Sequence, residues 1–368
     1  MKWQEQWPRI KAQFAVLDPG LLLVIACISL VSFAVQYSAA FDYPGRMADH
    51  LRNFFIAFTV MWLMAKVPPH TLLKFALPFY VGGVLLLIGV ALFGDVSKGA
   101  RRWLSIGGIR MQPSELLKIG LPLMLAWYFQ QREAVLNWRD YIVAAVILAI
   151  PTALILKQPD LGTATLVFSS GFFVIFFAGL SWKVIFAGLT GFLASLPLVW
   201  TLMHDYQRQR VLTLLDPTTD PLGKGFHIIQ SVIAIGSGGV TGKGWFNGTQ
   251  THLEFIPERT TDFIFSAYTE EFGLMGALVL MALYLVLINR GLAIASSAPT
   301  LFARLLAGAL TMIFFMYAFV NMGMVIGILP VVGVPLPFMS YGGTALLTLG
   351  VASGMLMSIQ RNRKLVPT

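Results

Sequence analysis

The sequence predicts an all-α polytopic membrane protein, and two observations carry that prediction. Hydrophobic residues make up 57% of the 368 residues and charged residues only 12%, with a mean hydropathy of +0.75. Soluble proteins carry about 25% charged residues, so this chain cannot cover a soluble surface. Apolar runs near the length of about 20 residues that one helix needs to cross a bilayer also recur along the chain. We therefore expect a single integral membrane domain over residues 1–368.

Ten apolar runs are candidates for transmembrane helices. They are 19–40, 52–67, 72–94, 113–130, 141–157, 163–180, 183–204, 263–289, 302–328 and 340–359. Most connections between them are short, but 95–112 and 205–262 are long. The second of these is a large loop between the seventh and eighth predicted helices. An even number of crossings places both termini on one side of the membrane and both long loops on the other.

Basic residues orient the predicted bundle. When the long segment 205–262 is left out, the face with the termini carries 13 lysines and arginines and the opposite face carries 8. The positive-inside rule then places the termini in the cytoplasm and the two long loops outside. The net charge of +9 fits juxtamembrane residues that face anionic membrane lipids. No basic patch interleaved with aromatic residues points to nucleic acid.

Two familiar kinds of cofactor site are not supported. The glycine-rich stretch 235–244, IGSGGVTGKG, departs from the Walker pattern at Ser237 and Gly244, so we expect its glycines to serve tight turns or close backbone approach. The five histidines are scattered without metal-ligand spacing. We expect no bound cofactor. A divalent cation is compatible with the sequence, which offers it no clear cage.

The 95–112 loop and the helix after it carry the first candidate site residues. Arg101 and Arg102 stand beside Trp103, and guanidinium groups bind phosphate oxygens in a bidentate manner. The alternative is ordinary anchoring at the membrane interface. In the following helix, Glu115 and Lys118 are three residues apart and share a face, either as site residues or as an ion pair at the helix start.

Two further segments of the chain carry candidate site residues. Asp160, in KQPDLGT at 157–163, either caps the next helix or belongs to the site. At the start of the large loop, Gln207 and Gln209 alternate with Arg208 and Arg210. Neither a helix nor a strand places all four of these on one face.

Residues 252–273, HLEFIPERTTDFIFSAYTEEFG, concentrate acids where the eighth apolar run begins. Glu270 and Glu271 lie inside that run, where an ionised group costs roughly 2.5–3.5 kcal/mol on insertion, so a use for them is expected. Asp262 is either the N-cap of the helix or a general base. A cap depresses the pKa of an aspartate, whereas a base needs a higher pKa, to which partial burial and nearby Glu258 would contribute.

The stretch 321–345, NMGMVIGILPVVGVPLPFMSYGGTA, cannot be a regular helix throughout. Pro330, Pro335 and Pro337 interrupt it, and Gly342-Gly343 permits close backbone packing. Irregular backbone at membrane depth is tolerated only where it is buried in protein or lines a cavity. We therefore expect this stretch to form a groove wall near the outer leaflet.

Taken together, these stretches resemble the SEDS family of bacterial cell-wall proteins over essentially the whole chain, and its elongation branch more than its division branch. The matching segments are SKGARRWL (97–104), QPSELLK (112–118), QPDLGT (158–163), DYQRQRV (205–211), IIQSVIAIGSGG (228–239), PERTTDFIF (257–265) and the signature over 321–345 that ends in Ser340-Tyr341-Gly342-Gly343-Thr344-Ala345. One departure is Thr260, which stands where the family pattern has histidine.

The resemblance implies a ten-span peptidoglycan glycosyltransferase that polymerises lipid II into glycan strands at the outer face of the bacterial cytoplasmic (inner) membrane during cell elongation. It implies undecaprenyl pyrophosphate as leaving group and a class B penicillin-binding protein as transpeptidase partner. Asp262 aligns with the essential aspartate of the family, and Glu115, Lys118 and Asp160 match residues important for activity. The alternatives are a lipid II flippase and a non-catalytic scaffold for the penicillin-binding protein.

The residue patterns and the family resemblance together give the candidate site. We expect catalytic roles for Asp262, Glu115 and Lys118. The expected substrate-binding residues are Arg101, Arg102, Trp103, Asp160, Gln207, Arg208, Arg210, Glu258 and Ser340.

Overall fold

The computed structural model describes residues 16–363, apart from 98–99, 107–108, 133–135, 204 and 220–222. Helices dominate the described part of the chain. They are α1 (Pro19–Ala39), α2 (Arg46–Lys66), α3 (Pro69–Phe93), α4 (Pro113–Gln130), α5 (Trp138–Lys157), α6 (Leu161–Phe177), α7 (Trp182–Leu202), α8 (Asp205–Leu215), a 3-10 turn at Pro217–Thr219, α9 (Lys224–Gly238), α10 (Thr249–His252), α11 (Ile264–Ser296), α12 (Leu301–Val325) and α13 (Gly343–Arg361).

Each of the ten predicted spans overlaps one helix, α1 to α7 in order and then α11 to α13. Among the described helices, seven are long and apolar enough to cross a membrane by length and composition, namely α1, α3, α5, α7, α11, α12 and α13. Of the others, α6 is only 17 residues long, and α2 and α4 contain charged residues. The fold is therefore that of a multi-pass helical membrane protein.

The 95–112 loop departs from the all-α prediction. It folds into three short antiparallel strands in the order β1 (Asp95–Ser97), β2 (Ala100–Ile106) and β3 (Ile109–Met111). β2 pairs with both neighbours, with Asp95 opposite Trp103 and Leu104 opposite Met111. The sheet packs against α3 and α4, so it holds Arg102 and Trp103 over the end of the helical bundle.

Helix α12 forms the centre of the bundle. It packs against α11, α6 and α4 and buries residues on all sides, as expected for a helix that is apolar all round. Its fully buried polar side chains include Tyr317 and Asn321. These two residues contact side-chain and backbone groups of the candidate site described below.

The eighth predicted span is broken. Gly273 in α11 has φ 64° and ψ −162°, so the helical hydrogen bonds are interrupted there. The stretch 239–244 fills the break: the amides of Lys243 and Gly244 donate to the carbonyls of Glu270 and Glu271 at 3.1 and 2.9 Å. A Cβ atom on Gly242 would lie 2.1 Å from the Glu271 carbonyl oxygen. This confirms close backbone approach as a role of the glycine-rich stretch.

Glu270 and Glu271 are both buried, and both anchor neighbouring segments to α11. The Glu270 carboxylate accepts hydrogen bonds from Lys243 Nζ at 2.8 Å and from the amides of residues 250 and 251 at 2.8 and 3.1 Å. The Glu271 carboxylate accepts one from the Ser38 hydroxyl in α1. These intramembrane acids therefore tie the large loop and α1 to the broken helix.

Candidate functional site

A cavity of about 540 Å³ opens where the sheet, the large loop and the irregular stretch after α12 meet. In this cavity the predicted groove wall, at residues 331–335, lies near four of the predicted acids, Glu115, Asp160, Glu258 and Asp262. Its lining consists of Arg102, Trp103, Gln112, Glu115, Lys118, Asp160, Thr163, Leu166, His227, Glu258, Thr261, Asp262, Phe263, Val331, Val332, Gly333, Val334, Pro335, Tyr341, Gly342, Thr344 and Ala345.

Asp262 is half-buried and lies in a turn, two residues before α11 begins. The N-cap position of α11 is Phe263, and no side chain there makes a capping hydrogen bond. The structure therefore does not support the interpretation that Asp262 is the N-cap. Its carboxylate points across the cavity toward Gly333: a Cβ atom at Gly333, where φ is +74°, would lie 3.3 Å from Asp262 Oδ2.

Residues 257–263, which we call the Asp262 segment, are fixed by side chains from distant parts of the chain. Three consecutive carbonyls, those of residues 260–262, each accept a hydrogen bond from one of them. The donors are Gln36, Ser340 and Asn321, at 2.7, 2.6 and 2.8 Å. Because buried carbonyls need donors, these bonds hold the backbone under Asp262 in one place.

Two arginines add to this anchoring. Arg259 is buried, donates to the Ala39 carbonyl at 2.9 Å, and pairs with Asp42 in the link between α1 and α2. Burial acts to raise the pKa of Asp42, but the hydrogen bond from Arg259, a backbone hydrogen bond and the positive charge of Arg259 together outweigh it, so the pKa lies below its ordinary value of 3.8. Arg46 donates to the hydroxyl of Thr260, so the residue that departs from the family pattern serves here as an acceptor.

Glu258 stands at the mouth of the cavity. It is exposed, and its carboxylate accepts a hydrogen bond from the Thr261 hydroxyl at 3.0 Å. Its φ of 54° falls in the left-handed region that non-glycine residues rarely adopt. Such strain persists only where the surroundings enforce it, and it clusters at functional sites.

Glu115 and Lys118 form an ion pair within the cavity wall. Lys118 Nζ lies 2.6 Å from Glu115 Oε1 and also donates to the Tyr317 hydroxyl at 2.6 Å. The Thr348 hydroxyl donates to the other Glu115 oxygen at 3.2 Å. The Lys118 side chain is only 2% exposed, and a buried charge needs such partners. The ion pair predicted at the helix start is therefore present, and both of its residues line the cavity.

Asp160 has two functions in the structure. As N-cap of α6 it accepts a hydrogen bond from the amide of Thr163 at 3.0 Å, which confirms the predicted cap. Its other oxygen lies 3.6 Å from Arg102 Nε and accepts a hydrogen bond from Gln112 at 3.3 Å. Arg102 also donates to the Pro159 carbonyl at 2.8 Å. The carboxylate therefore orients a guanidinium group at the cavity wall.

The other predicted substrate-binding residues lie outside the lining of this cavity. Arg101 is exposed on β2, and Gln207 lies on α8. Arg208 donates to the carbonyls of residues 200 and 201, at 3.0 and 2.8 Å, near the end of α7. Ser340 is buried, and its hydroxyl is engaged by the Thr261 carbonyl and the Leu336 amide. The side chain of Arg210 is outside the described residues.

Sequence reasoning missed several residues of the site. Tyr317 and Thr348 hold the ion pair, Asn321 holds the Asp262 backbone, and His227 lines the cavity with its ring 5.7 Å from that of Phe263. Tyr317, Thr348 and Asn321 come from helices far away in the chain. Only Asn321 carried a signal, as the first residue of the family signature.

Over the described ranges, no group of three or more His, Cys, Asp or Glu side chains is arranged to hold a metal ion. The Glu115 carboxylate is paired with Lys118, and the Asp160 carboxylate accepts hydrogen bonds from the Thr163 amide and Gln112 beside Arg102.

The chain is similar to known proteins along nearly its whole length. The chain is 50% identical over 351 residues to a peptidoglycan glycosyltransferase MrdB from Escherichia coli, with 95% of each chain covered. A solved structure described as "Structural coordination of polymerization and crosslinking by a peptidoglycan synthase complex" matches with a TM-score of 0.82 and 35% identity, covering 95% of this chain and 99% of the other. The crystal structure of the rod shape determining protein RodA from Thermus thermophilus matches with a TM-score of 0.71 and 29% identity, covering 94% and 97%.

A family model described as "Cell cycle protein" and named for FtsW, RodA and SpoVE matches residues 10–365, which is nearly the whole chain. Together with the relatives above, this match agrees with the resemblance drawn from the sequence motifs. The chain belongs to the FtsW/RodA/SpoVE family.

Proposed function

We propose that this chain is a peptidoglycan glycosyltransferase that polymerises lipid II into glycan strands at the outer face of the bacterial cytoplasmic membrane during cell elongation. The similarity to a peptidoglycan glycosyltransferase along 95% of the chain supports the activity. The overlap of each predicted span with a helix supports ten spans, and the excess of basic residues on one face supports an orientation with both termini in the cytoplasm. In that orientation the cavity opens outward, where the acceptor and donor sugars of lipid II lie.

The single observation that carries the mechanism is the placement of Asp262. Its carboxylate shares one cavity with two cationic groups, Lys118 and Arg102, each already oriented by an acid of the protein. A carboxylate beside fixed positive charges is the arrangement that glycosyl transfer from a diphosphate donor requires. It places a proton acceptor and charge stabilisation around the same reacting atoms.

In the proposed reaction, Asp262 accepts the proton of the acceptor sugar hydroxyl as its oxygen forms a bond to the anomeric carbon of the donor. The bond between that carbon and the pyrophosphate oxygen breaks, and its electron pair leaves with undecaprenyl pyrophosphate. General base catalysis of this kind contributes typically about 10²–10⁴-fold. The half-buried position of Asp262 and the anchored Asp262 segment hold the carboxylate at one point in the cavity.

The leaving pyrophosphate gains negative charge, so the cations of the cavity wall complete the mechanism. Arg102 and Lys118 line the cavity, and preorganised charges aimed at developing negative charge are often the largest catalytic contribution. Asp160 and Glu115 prevent these cations from turning away. Among the arginines predicted to receive the pyrophosphate, the geometry favours Arg102 over Arg101 and Arg208.

We also propose a class B penicillin-binding protein as the partner that crosslinks the strands. The likeness to a chain from a peptidoglycan synthase complex, over 95% of this protein, supports an assembly of this kind. The partner's transpeptidase activity would use the glycan strands released from the cavity.

One assay tests the function against its alternatives. The purified protein, with an active class B penicillin-binding protein, receives lipid II in detergent, and glycan chains are separated by size. The glycosyltransferase predicts polymer that depends on this chain. A flippase predicts no polymer in detergent but movement of labelled lipid II across vesicle membranes. A scaffold predicts neither, so absence of polymer with an active partner would reject the proposal.

A further inference from the structure

Asn321, near the end of α12, connects the two walls of the cavity. It is fully buried, and its Nδ2 donates to the carbonyl of Asp262 at 2.8 Å and to the carbonyl of Val334 at 2.7 Å. Both acceptors belong to residues that line the cavity. One side-chain amide therefore spans the Asp262 segment and the opposite wall, which we call the 331–335 wall.

The chemistry of these two bonds is specific to an amide. Both acceptors are carbonyl oxygens, so only a group with two N–H donors satisfies them at once. Asp262 and Val334 lie in irregular backbone between helices, where no regular ladder supplies a donor. Buried carbonyls of this kind need a partner. Asn321 therefore determines how closely the two walls approach each other.

The spacing that Asn321 determines is the one at the carboxylate. Gly333, the neighbour of Val334, is the residue that the Asp262 carboxylate faces, at 3.3 Å from Oδ2 to the position of an added Cβ. Ser340 makes a related contact one residue earlier, to the Thr261 carbonyl, but its second bond goes to Leu336, which is outside the cavity lining. Asn321 is thus the contact that joins the Asp262 carbonyl to the wall opposite its own carboxylate.

We propose that Asn321 is a positioning residue for glycosyl transfer, which acts by holding Asp262 at a fixed distance from the 331–335 wall. This inference rests on the proposed function of Asp262 as the base. It assigns Asn321 no contact with the substrate. Its effect should therefore appear in the rate of the chemical step and depend on the presence of the Asp262 carboxylate.

The test replaces Asn321 by a residue of the same shape that cannot donate to both carbonyls at once. In Asn321→Asp an oxygen takes the place of the NH2 group and faces the two carbonyl oxygens. We expect kcat for lipid II polymerisation to fall by about 10²-fold, the scale of a 1 Å misplacement, while KM stays unchanged. Thr311→Val is the matched control: it changes a buried polar residue on the same helix whose hydroxyl donates to the Ala307 carbonyl within that helix, and it should leave kcat at the wild-type value.

A double variant separates positioning from general damage. In an Asp262→Asn background, Asn321→Asp should cause no further loss, since no carboxylate remains to be positioned. An equal loss in both backgrounds, an unchanged kcat in the single variant, or a parallel change of kcat and KM would each overturn the proposal.

A second variant keeps the test decisive if Asn321→Asp does not fold. Gly333→Ala places a methyl group against Asp262 Oδ2 from the opposite wall and should lower kcat with Asn321 intact. Wild-type kcat in Gly333→Ala would contradict the importance of this spacing. Failure of the underlying function is distinguishable, because it would show as wild-type activity of the Asp262→Asn single variant.

Discussion

The Asp262 segment and the α7–α8 region differ in how the rest of the protein holds them. Three consecutive carbonyls of the Asp262 segment accept side-chain hydrogen bonds from α1, from α12 and from Ser340, which lies just before α13. Helix α7, by contrast, buries none of its residues that the structure describes. The comparison indicates that the residues proposed to act in catalysis lie on a fixed wall, whereas the described residues of α7 lie at the surface of the bundle. Catalysis should therefore be sensitive to changes on the first side and tolerant of changes on the second.

The largest effect is expected from the buried ion pair. Lys118→Met leaves the Glu115 carboxylate in the wall without its cation, and breaking a buried pair costs about 3–5 kcal/mol. We expect a large fall in the free energy of unfolding and loss of polymerisation. The measurement is thermal unfolding in detergent together with the polymerisation rate.

The matched comparison for this prediction is the double variant Glu115→Gln with Lys118→Met. It removes both charges and should recover a substantial part of the stability while remaining inactive. Equal stability of the single and double variants would contradict the ion pair as described.

The next prediction compares an arginine of the cavity with an arginine of the α7–α8 region. Arg102→Ala removes a guanidinium group from the cavity, and loss of one preorganised charge stabiliser lowers kcat by about 10²–10³-fold. Arg208→Ala removes an arginine that contacts carbonyls at the end of α7, and we expect nearly wild-type kcat. Steady-state kinetics with lipid II measures both, and a reversed order would move the pyrophosphate site toward α8.

The smallest effect concerns the Arg259–Asp42 contact. Because the pKa of Asp42 in the folded protein lies below 3.8, its contribution to stability is complete above that value and disappears as the pH falls through the lower folded pKa. Asp42→Asn should therefore reduce stability by about 1 kcal/mol at neutral pH. The difference from wild type should vanish well below pH 3.8, and unfolding midpoints across this range measure it. A difference that persists unchanged in acid would show that Asp42 stabilises the fold by other means.

The sequence was informative about the helices because apolar length is a property of each segment alone. All ten predicted spans overlap helices, although the sheet at 95–111 and the break at Gly273 were not anticipated. Neither has a strong local pattern: the strands are short, and the break depends on the stretch 239–244 filling it.

For the site, the motifs identified the residues that act locally, such as Asp160 and the Glu115–Lys118 pair. Residues that act across the bundle were missed, because Tyr317 lies 199 positions from the lysine that it contacts. From the sequence alone, every polar side chain inside a predicted membrane span is a candidate for function. Only the fold distinguishes Glu270, an anchor of the large loop, from Asp262, which faces the cavity.

The most direct measurement of the central claim is the single-turnover rate of glycosyl transfer in Asp262→Asn, with lipid II binding measured on the same preparation. Glu254→Gln, an exposed acid of the same loop outside the cavity lining, is the matched control. The proposed base predicts a rate lower by about 10²–10⁴-fold in Asp262→Asn, unchanged binding of lipid II, and a wild-type rate in the control. A wild-type rate in Asp262→Asn would contradict the assignment of Asp262 as the base.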